Sequence, residues 1–199
     1  MQIPPLALLL LAAGKSTRMG DTDKLLLPVA GKTLLERTAE IAMASGHPLY
    51  VTLSPERPAR ATVLRGMALK TVVVADAAEG IGASLRGGVA AIPEDHAILV
   101  MLADLPDLST ADLERVIAQW QLQPHRIHRG GNGIAKPGHP VIFPPALRPA
   151  LLALKGDQGA KEVISQAEES PIIVLLPANN ALRDIDTPED WARWQQSQS

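Results

Sequence analysis

The sequence predicts an α/β fold with a mainly parallel sheet, and three observations carry that prediction. Aliphatic runs recur at positions 6–13, 49–53, 70–75, 96–103, 139–143 and 171–177. Helical periodicity fills most of the intervals between them. Aromatic residues make up only 3% of the 199-residue chain, so the core must be built from Leu, Ile, Val and Ala. Unbroken aliphatic strands belong to parallel sheets covered on both faces, and their alternation with helices implies right-handed crossovers. A chain of this length buries roughly 70% of its unfolded surface, enough for a single domain over 1–199.

The first run, "LALLLLAA", reads either as the core of an export signal or as a buried strand. The preceding "MQIPP" carries no basic side chain and sets two prolines against the apolar start. An export signal opens with positive charge, so the strand is expected, and with it a cytoplasmic protein. "KTLLERTAEIAMASG" (32–46) places Leu34, Leu35, Thr38, Ile41 and Ala42 on one helical face and stops at Gly46. "GASLRGGVAAI" (82–92) and "STADLERVIAQW" (109–120) repeat the pattern, with Ser109 or Thr110 as the second helix's cap. The glycine-rich stretch 128–140 is expected to be a mobile loop over the site. Thr187-Pro188 suits a helix start, and the tail "QQSQS" is expected to fray.

Composition excludes several kinds of chemistry. Without cysteine there are no disulfides, thiolate nucleophiles or Cys-bound metals. A net charge of −2 provides no general field for nucleic acid or an anionic membrane, and no apolar stretch reaches the 18 residues of a bilayer span. Small molecules or proteins are the expected partners. The five histidines show no metal-ligand spacing such as H-E-x-x-H.

Chemistry concentrates after the first strand. Ala12, Ala13 and Gly14 allow close backbone approach, and Lys15, Arg18 and Lys24 follow, as an anion site requires. A solvated loop explains the same residues if the segment is taken alone. Walker A spacing fails because Leu9 stands where its first glycine belongs, and G-x-G-x-x-G is absent, which leaves a nicotinamide-dependent dehydrogenase remote. Asp104 lies just past an aliphatic strand, where α/β sheets place ligand chemistry and where a turn cap would also sit. Asp107 reads as a turn residue. Thr187 through Asp190 are accounted for by a helix start, but Asp184 and Asp186 are not.

"LAAGKSTRMGDTDK" (11–24) resembles the L-A-[AG]-G-x-S-x-R-M-G-x(2 or 3)-K signature of nucleotidyltransferases related to molybdenum cofactor biosynthesis. The resemblance covers about residues 6 to 194. It implies a Rossmann-like three-layer α/β/α sandwich of the nucleotide-diphospho-sugar transferase type. It also implies that the backbone from Leu11 through Ala12, Ala13 and Gly14 holds base and sugar while Arg18 and Lys24 bind the triphosphate. Leu-x-Asp-x-Pro at 102–106 resembles the family's metal segment and puts that role on Asp104. "DIDTPED" resembles its C-terminal signature, in which Asp186 completes a Mg²⁺ site with Asp104 and Asp184 is a neighbour. "ADAAEGIGASLRGGV" (75–89) resembles a further segment, making Asp76, Gly80, Gly82 and Ser84 ribose or base contacts; a glycine-rich helix start explains them equally.

Gly138-His139-Pro140 and Gly156-Asp157-x-Gly159-Ala160 resemble the cytidylyltransferase branch, with His139 holding the acceptor, although a histidine hydrogen-bonded under a loop fits too. Leu-Ala-Ala-Gly leans the same way. Asp76 in place of Asn, and Asp23 before Lys24, lean toward the guanylyltransferase branch.

The implied reaction is Mg²⁺-dependent transfer of CMP from CTP to the terminal phosphate of molybdopterin, releasing pyrophosphate. Alternatives are GTP as donor, another phosphorylated acceptor, or a non-catalytic cofactor carrier. A molybdoenzyme or maturation chaperone would be the protein partner. Two oxygen-donor carboxylates suit Mg²⁺. Such transfer depends on positioning and electrostatics, so Arg18, Lys24 and Asp104 suffice as catalytic parts. A phosphate monoester with a second pKa of about 6 is already an anion at neutral pH and needs no dedicated base.

Overall fold

The computed structural model describes residues 2–133 and 136–198. In chain order the elements are β1 (Leu6–Ala12), β2 (Pro28–Val29), β3 (Lys32–Thr33), α1 (Leu34–Met43), β4 (Leu49–Leu53), α2 (Pro58–Val63), β5 (Lys70–Val73) and α3 (Ile81–Ala91). They continue as β6 (Ala97–Leu102), α4 (Thr110–Leu122), β7 (His128–Gly131), β8 (Pro137–Phe143), α5 (Arg148–Leu152), α6 (Ala160–Gln166), β9 (Ile172–Leu175) and α7 (Pro188–Gln196). β2 and β3 form a small antiparallel pair. The other strands make one sheet in the order β5-β4-β1-β6-β8-β7-β9, in which β8 alone runs against its neighbours.

β1 is aliphatic throughout because both of its faces are covered. Leu6, Leu8, Leu10 and Ala12 pack with Leu35 and Ala39 of α1 and with Val116 and Trp120 of α4. Ala7 and Leu9 point the other way, toward Leu85 and Val89 of α3, Leu151 of α5 and Val163 of α6. The result is the expected three-layer α/β/α sandwich. α3 lies close on β1 because Gly88 has no side chain: a Cβ there would fall 2.4 Å from Leu9 Cδ1.

Helix starts follow their sequence signals. Thr33 with Glu36, Ser109 with Asp112, and Thr187 with Asp190 each form a reciprocal capping box, which settles the cap of α4 on Ser109. One expectation is corrected. The stretch 128–140 is largely strand, since β7 pairs with both β8 and β9; only 134 and 135 lie outside the described residues. Its glycines reflect crowding between strands, a Cβ on Gly130 falling 2.6 Å from the His139 carbonyl oxygen. Of the tail expected to fray, Gln195 and Gln196 belong to α7 and the Ser197 N–H donates to the Arg193 and Trp194 carbonyls, while Ser199 lies outside the described residues.

The sheet's connectivity locates the crevice. From β1 the chain builds outward through β4 and β5, then returns to lay β6 on the other side of β1. Ligands bind at such a switch point, outside the carboxyl ends of the strands. There Leu11 and Leu102 are register partners, so the loops after β1 and β6 face one another.

Candidate active site

A cleft of about 480 Å³ opens at that switch point, within the usual size of small-molecule sites. Its wall includes Leu11, Ala12, Ala13, Gly14, Arg18, Lys24, Gly80, Ser84, Asp104 and Asp186, together with Asp157 and Asp184. Residues far apart in the chain thus share one surface.

The loop after β1 is shaped from behind by Arg60 of α2, a residue that sequence reasoning missed. Its side chain is fully buried. Nη1 donates to the carbonyls of Ala12 and Gly14, each at 2.7 Å, Nη2 to Ser16 Oγ at 3.0 Å, and Nε and Nη2 to the two Asp23 oxygens, each at 2.8 Å. Ser16 sits in the left-handed region at φ 56°, a conformation costing roughly 1 kcal/mol or more for a residue with a side chain. The guanidinium fork draws carbonyls and Ser16 toward the core. A Cβ on Gly14 would meet nothing within 4 Å, so that glycine leaves the cleft side of the loop open. Asp23 is fully engaged here, its Oδ1 also accepting from the Leu25 N–H. Its carboxylate is thus committed to the architecture of the loop.

The acids converge through backbone contacts. The Ile185 N–H donates to the Asp104 carbonyl at 3.0 Å, while the fully buried Ile185 side chain packs with Val29, Leu34 and Trp194. Asp107, read from sequence as a turn residue, also ties down the C-terminal helix. Its Oδ1 accepts from Trp194 Nε1 at 2.8 Å, and its Oδ2 pairs with Arg183. These contacts pin the segment before α7 beside the end of β6 and set Asp184 and Asp186 next to Asp104.

Lys24 lies between the two acids, with Nζ 2.6 Å from Asp104 Oδ2 and 2.7 Å from Asp186 Oδ1. Arg18 holds Asp186 Oδ2 at 2.8 Å. Burial pulls the Lys24 ammonium pKa down, but the charges and hydrogen bonds of Asp104 and Asp186 outweigh it, and the net shift is upward. Burial likewise opposes ionisation of Asp186, yet Lys24 and then Arg18 hold it below the usual carboxylate range. Asp184 is pushed up, first by burial and then by the charges of Asp186 and Asp104. Asp104 Oδ1 is buried and has no hydrogen-bond partner among the described residues.

The Asp76–Ser84 segment divides. Gly80 and Ser84 line the cleft, Ser84 being almost fully buried. Asp76 does not reach the cleft: Arg86 draws its carboxylate away at 2.9 Å and pairs with Glu79 as well. Gly82 is turned into the protein, its N–H donating to the Gly156 carbonyl at 3.0 Å where a Cβ would collide. Neither Asp76 nor Gly82 belongs to the cleft's lining, so the nucleotide contacts expected of them gain no support from its geometry. Gly80 is the residue that allows the Asp157 carboxylate to lie across the start of α3, for a Cβ there would stand 2.2 Å from Asp157 Oδ1.

His139 lies off the main cleft, in a neighbouring cavity beside Arg129. Burial lowers its pKa from 6.5 to about 4. The unfolded chain therefore binds a proton near pH 6.5 that the folded protein refuses until about pH 4. Stability from this source is complete above pH 6.5 and is lost as pH falls toward 4. Urea unfolding at pH 7 and pH 4.5 checks it: His139→Gln should show a pH-dependent loss smaller than wild type by about 2 kcal/mol. Equal losses in both proteins would contradict the buried neutral imidazole.

Comparison with known proteins agrees with this geometry. The family model described as MobA-like NTP transferase domain matches residues 8–171. Nicotine blue oxidoreductase of Paenarthrobacter nicotinovorans is 30% identical, over 96% of this chain and 97% of its own. A probable molybdenum cofactor guanylyltransferase of Natronomonas pharaonis is 27% identical, over 92% and 94%. Among solved structures, Rv0371c from Mycobacterium tuberculosis H37Rv superposes with a TM-score of 0.84 at 28% identity, covering 98% of this chain and 100% of that one. A manganese complex of the same protein gives 0.82 at 27% identity, covering 97% and 99%. With the sheet order, the loop after β1 and the paired acids already in place, this chain belongs to the MobA-like NTP transferase family and is a nucleotidyltransferase.

Proposed function

We propose that the protein transfers CMP from CTP to the terminal phosphate of a molybdopterin-type acceptor, with release of pyrophosphate and with Mg²⁺ as the divalent cation. The observation that carries the metal-dependent part is the buried, unpartnered Asp104 Oδ1 beside Asp186. An ionised oxygen left without a donor in a buried setting is costly, and a hard divalent cation is the partner it lacks. Charge arithmetic points the same way. The cleft offers three cations (Lys15, Arg18, Lys24) against four carboxylates (Asp104, Asp157, Asp184, Asp186), too little positive charge for a triphosphate. Among the described residues no group of three or more His, Cys, Asp or Glu side chains is arranged to hold a metal. Asp104 and Asp186 would hold it together with substrate oxygens, and the ion would neutralise charge on the phosphates.

The remaining roles fall to the chain's own groups. The loop from Leu11 to Gly14 receives base and sugar, with Gly80 and Ser84 opposite. Lys24 neutralises Asp104 and Asp186 in the substrate-free protein and turns to the triphosphate when those acids take up a cation. Arg18 on the open side of the cleft joins it there. The preference for CTP rests on the Leu-Ala-Ala-Gly loop, where Ala13 is 1% exposed and its methyl leaves less depth than glycine would. Retention of Lys24, Asp104 and Asp186 together argues against a carrier without turnover. A cytoplasmic location and hand-over to a molybdoenzyme or its chaperone complete the reading.

Pyrophosphate release with purified molybdenum cofactor, Mg²⁺ and each of the four nucleoside triphosphates tests it. CTP should exceed the others by about tenfold or more, since discrimination by a hydrogen-bonding pocket reaches that level readily. Preference for GTP would replace the donor, and no release with any nucleotide would overturn the reading.

A further inference from the structure

The sheet ends on β9, whose outer side has no strand beside it among the described residues. The main-chain groups of Ile172, Val174 and Leu176 turn inward to β7: the Ile172 N–H donates to the Ile127 carbonyl at 2.9 Å and the Leu176 N–H to the Gly131 carbonyl at 2.8 Å. Those of Ile173 and Leu175 therefore point away from the sheet, and among the described residues they have no hydrogen-bond partner. Proteins guard such edges with charge, and β5, on the far side of the sheet, begins with Lys70. β9 has no such guard. From Ser170 through Leu182 the chain carries no charged residue, and Leu175 is 51% exposed. Open donors and acceptors along a neutral aliphatic edge are complementary to another extended strand.

The sequence identifies which strand. Pro171-Ile-Ile-Val174-Leu-Leu-Pro177 has the same pattern read in either direction from Val174. Both prolines fall on outward-facing positions and lack an N–H, so they stop a ladder equally at its two ends. A second β9 laid antiparallel about a two-fold axis at Val174 sets Ile173 opposite Leu175 of the partner subunit, where the two residues exchange both of their main-chain hydrogen bonds. The adjoining helix fits the same axis. Arg115 and Gln119 of α4 line a groove of about 410 Å³ along Ile173, Val174 and Leu175. They stand one turn, about 6 Å, apart, which is close to the rise of about 6–7 Å from Ile173 to Leu175. The axis thus brings Arg115 to Gln119 of the partner subunit and keeps like charges apart. Arg115 makes no ion pair among the described residues, and a glutamine carbonyl accepts from it.

We infer that two copies of this chain associate through β9, joining their sheets into one across a two-fold axis at Val174. A four-residue strand and one groove wall bury less than the roughly 1,200–2,000 Å² of a tight complex, which sets the dissociation constant on the order of 10 µM. Because the joined strands run in opposite directions, the two clefts open at opposite ends of the common sheet. Association and the proposed transfer reaction therefore stand or fall separately.

Sedimentation velocity at loadings from about 1 to 500 µM tests the inference, since the mass should climb from that of one chain toward that of two. Leu175→Pro removes an N–H that the fold itself does not use, and Leu175→Lys adds the charge that the edge lacks. Each should weaken association by about tenfold or more while the melting temperature stays within about 3 °C of wild type. Val73→Lys, on the opposite edge of the sheet, should leave association within about twofold. A wild-type chain that stays monomeric throughout, association untouched by both Leu175 changes, or association lost in Val73→Lys and kept in Leu175→Lys overturns the inference. Pyrophosphate release per chain should be equal in Leu175→Lys and wild type. A chain that associates through β9 yet releases no pyrophosphate would count against the transfer reaction and leave the interface standing.

Discussion

Asp104→Asn is expected to lower pyrophosphate release by a factor on the order of 10²–10³ while leaving the unfolding free energy within about 1 kcal/mol of wild type. The amide keeps the side chain's shape and one oxygen for Lys24, whose second partner, Asp186, is untouched. What it removes is the charge on the oxygen that has no donor. Electrostatic groups aimed at a reacting phosphate are worth far more in the transition state than in the fold, so the two readouts should separate widely. Turnover with each metal, set beside urea unfolding of the same preparation, checks it. Unchanged turnover would mean that Asp104 is not part of the reaction.

Arg60→Ala should do the opposite first and the same second. Removing a buried partner leaves Asp23 as an uncompensated charge, and two carbonyls of the loop after β1 lose their donor. Breaking a buried pair from one side costs about 3–5 kcal/mol, which for a chain of this size is a drop of about 10 °C or more in melting temperature. Arg60→Lys should recover little, because a single ammonium does not span two carbonyls, a hydroxyl and a carboxylate. Asp23→Ala combined with Arg60→Ala should cost less than the two changes added together, as a double-mutant cycle would measure. At temperatures where the Arg60→Ala protein is still folded, the KM for the nucleotide should rise because the loop no longer holds its shape. A melting temperature equal to wild type would show that Arg60 does not brace the loop.

Much of this architecture was legible in the sequence because one physical rule governed each part. The strands of the parallel half are buried on both faces and so are continuous aliphatic runs, as in β1 and β6. α1, α4 and α7 start on capping boxes that are local by nature. The cleft's loop and acids follow motifs of strict spacing, and Lys24, Asp104 and Asp186 do meet. The parts that were not legible depend on partners remote in sequence. Nothing in "PARATV" distinguishes the buried Arg60 from an exposed arginine, because its five acceptors are contributed by 12–23. β7 reads as a loop because its glycines are needed by the strands on either side, and α2, α5 and α6 are too short for periodicity to declare itself. Asp76 illustrates the converse: its position matched, but Arg86, one strand-to-helix turn away, claims the carboxylate.

The way the last carboxylates arrive has a consequence for how this molecule could lose its chemistry. All the strands end by Leu175, whereas Asp184 and Asp186 come on a strap whose fastenings include a main-chain bond to Asp104, the Ile185 side chain, the Arg183 and Trp194 contacts with Asp107, and the ion pairs of Asp186 with Lys24 and Arg18. The scaffold and the reactive centre are therefore separately breakable. Trp194→Ala should slacken the strap while the sheet stays whole, turning a catalyst into a receptor that still admits its nucleotide.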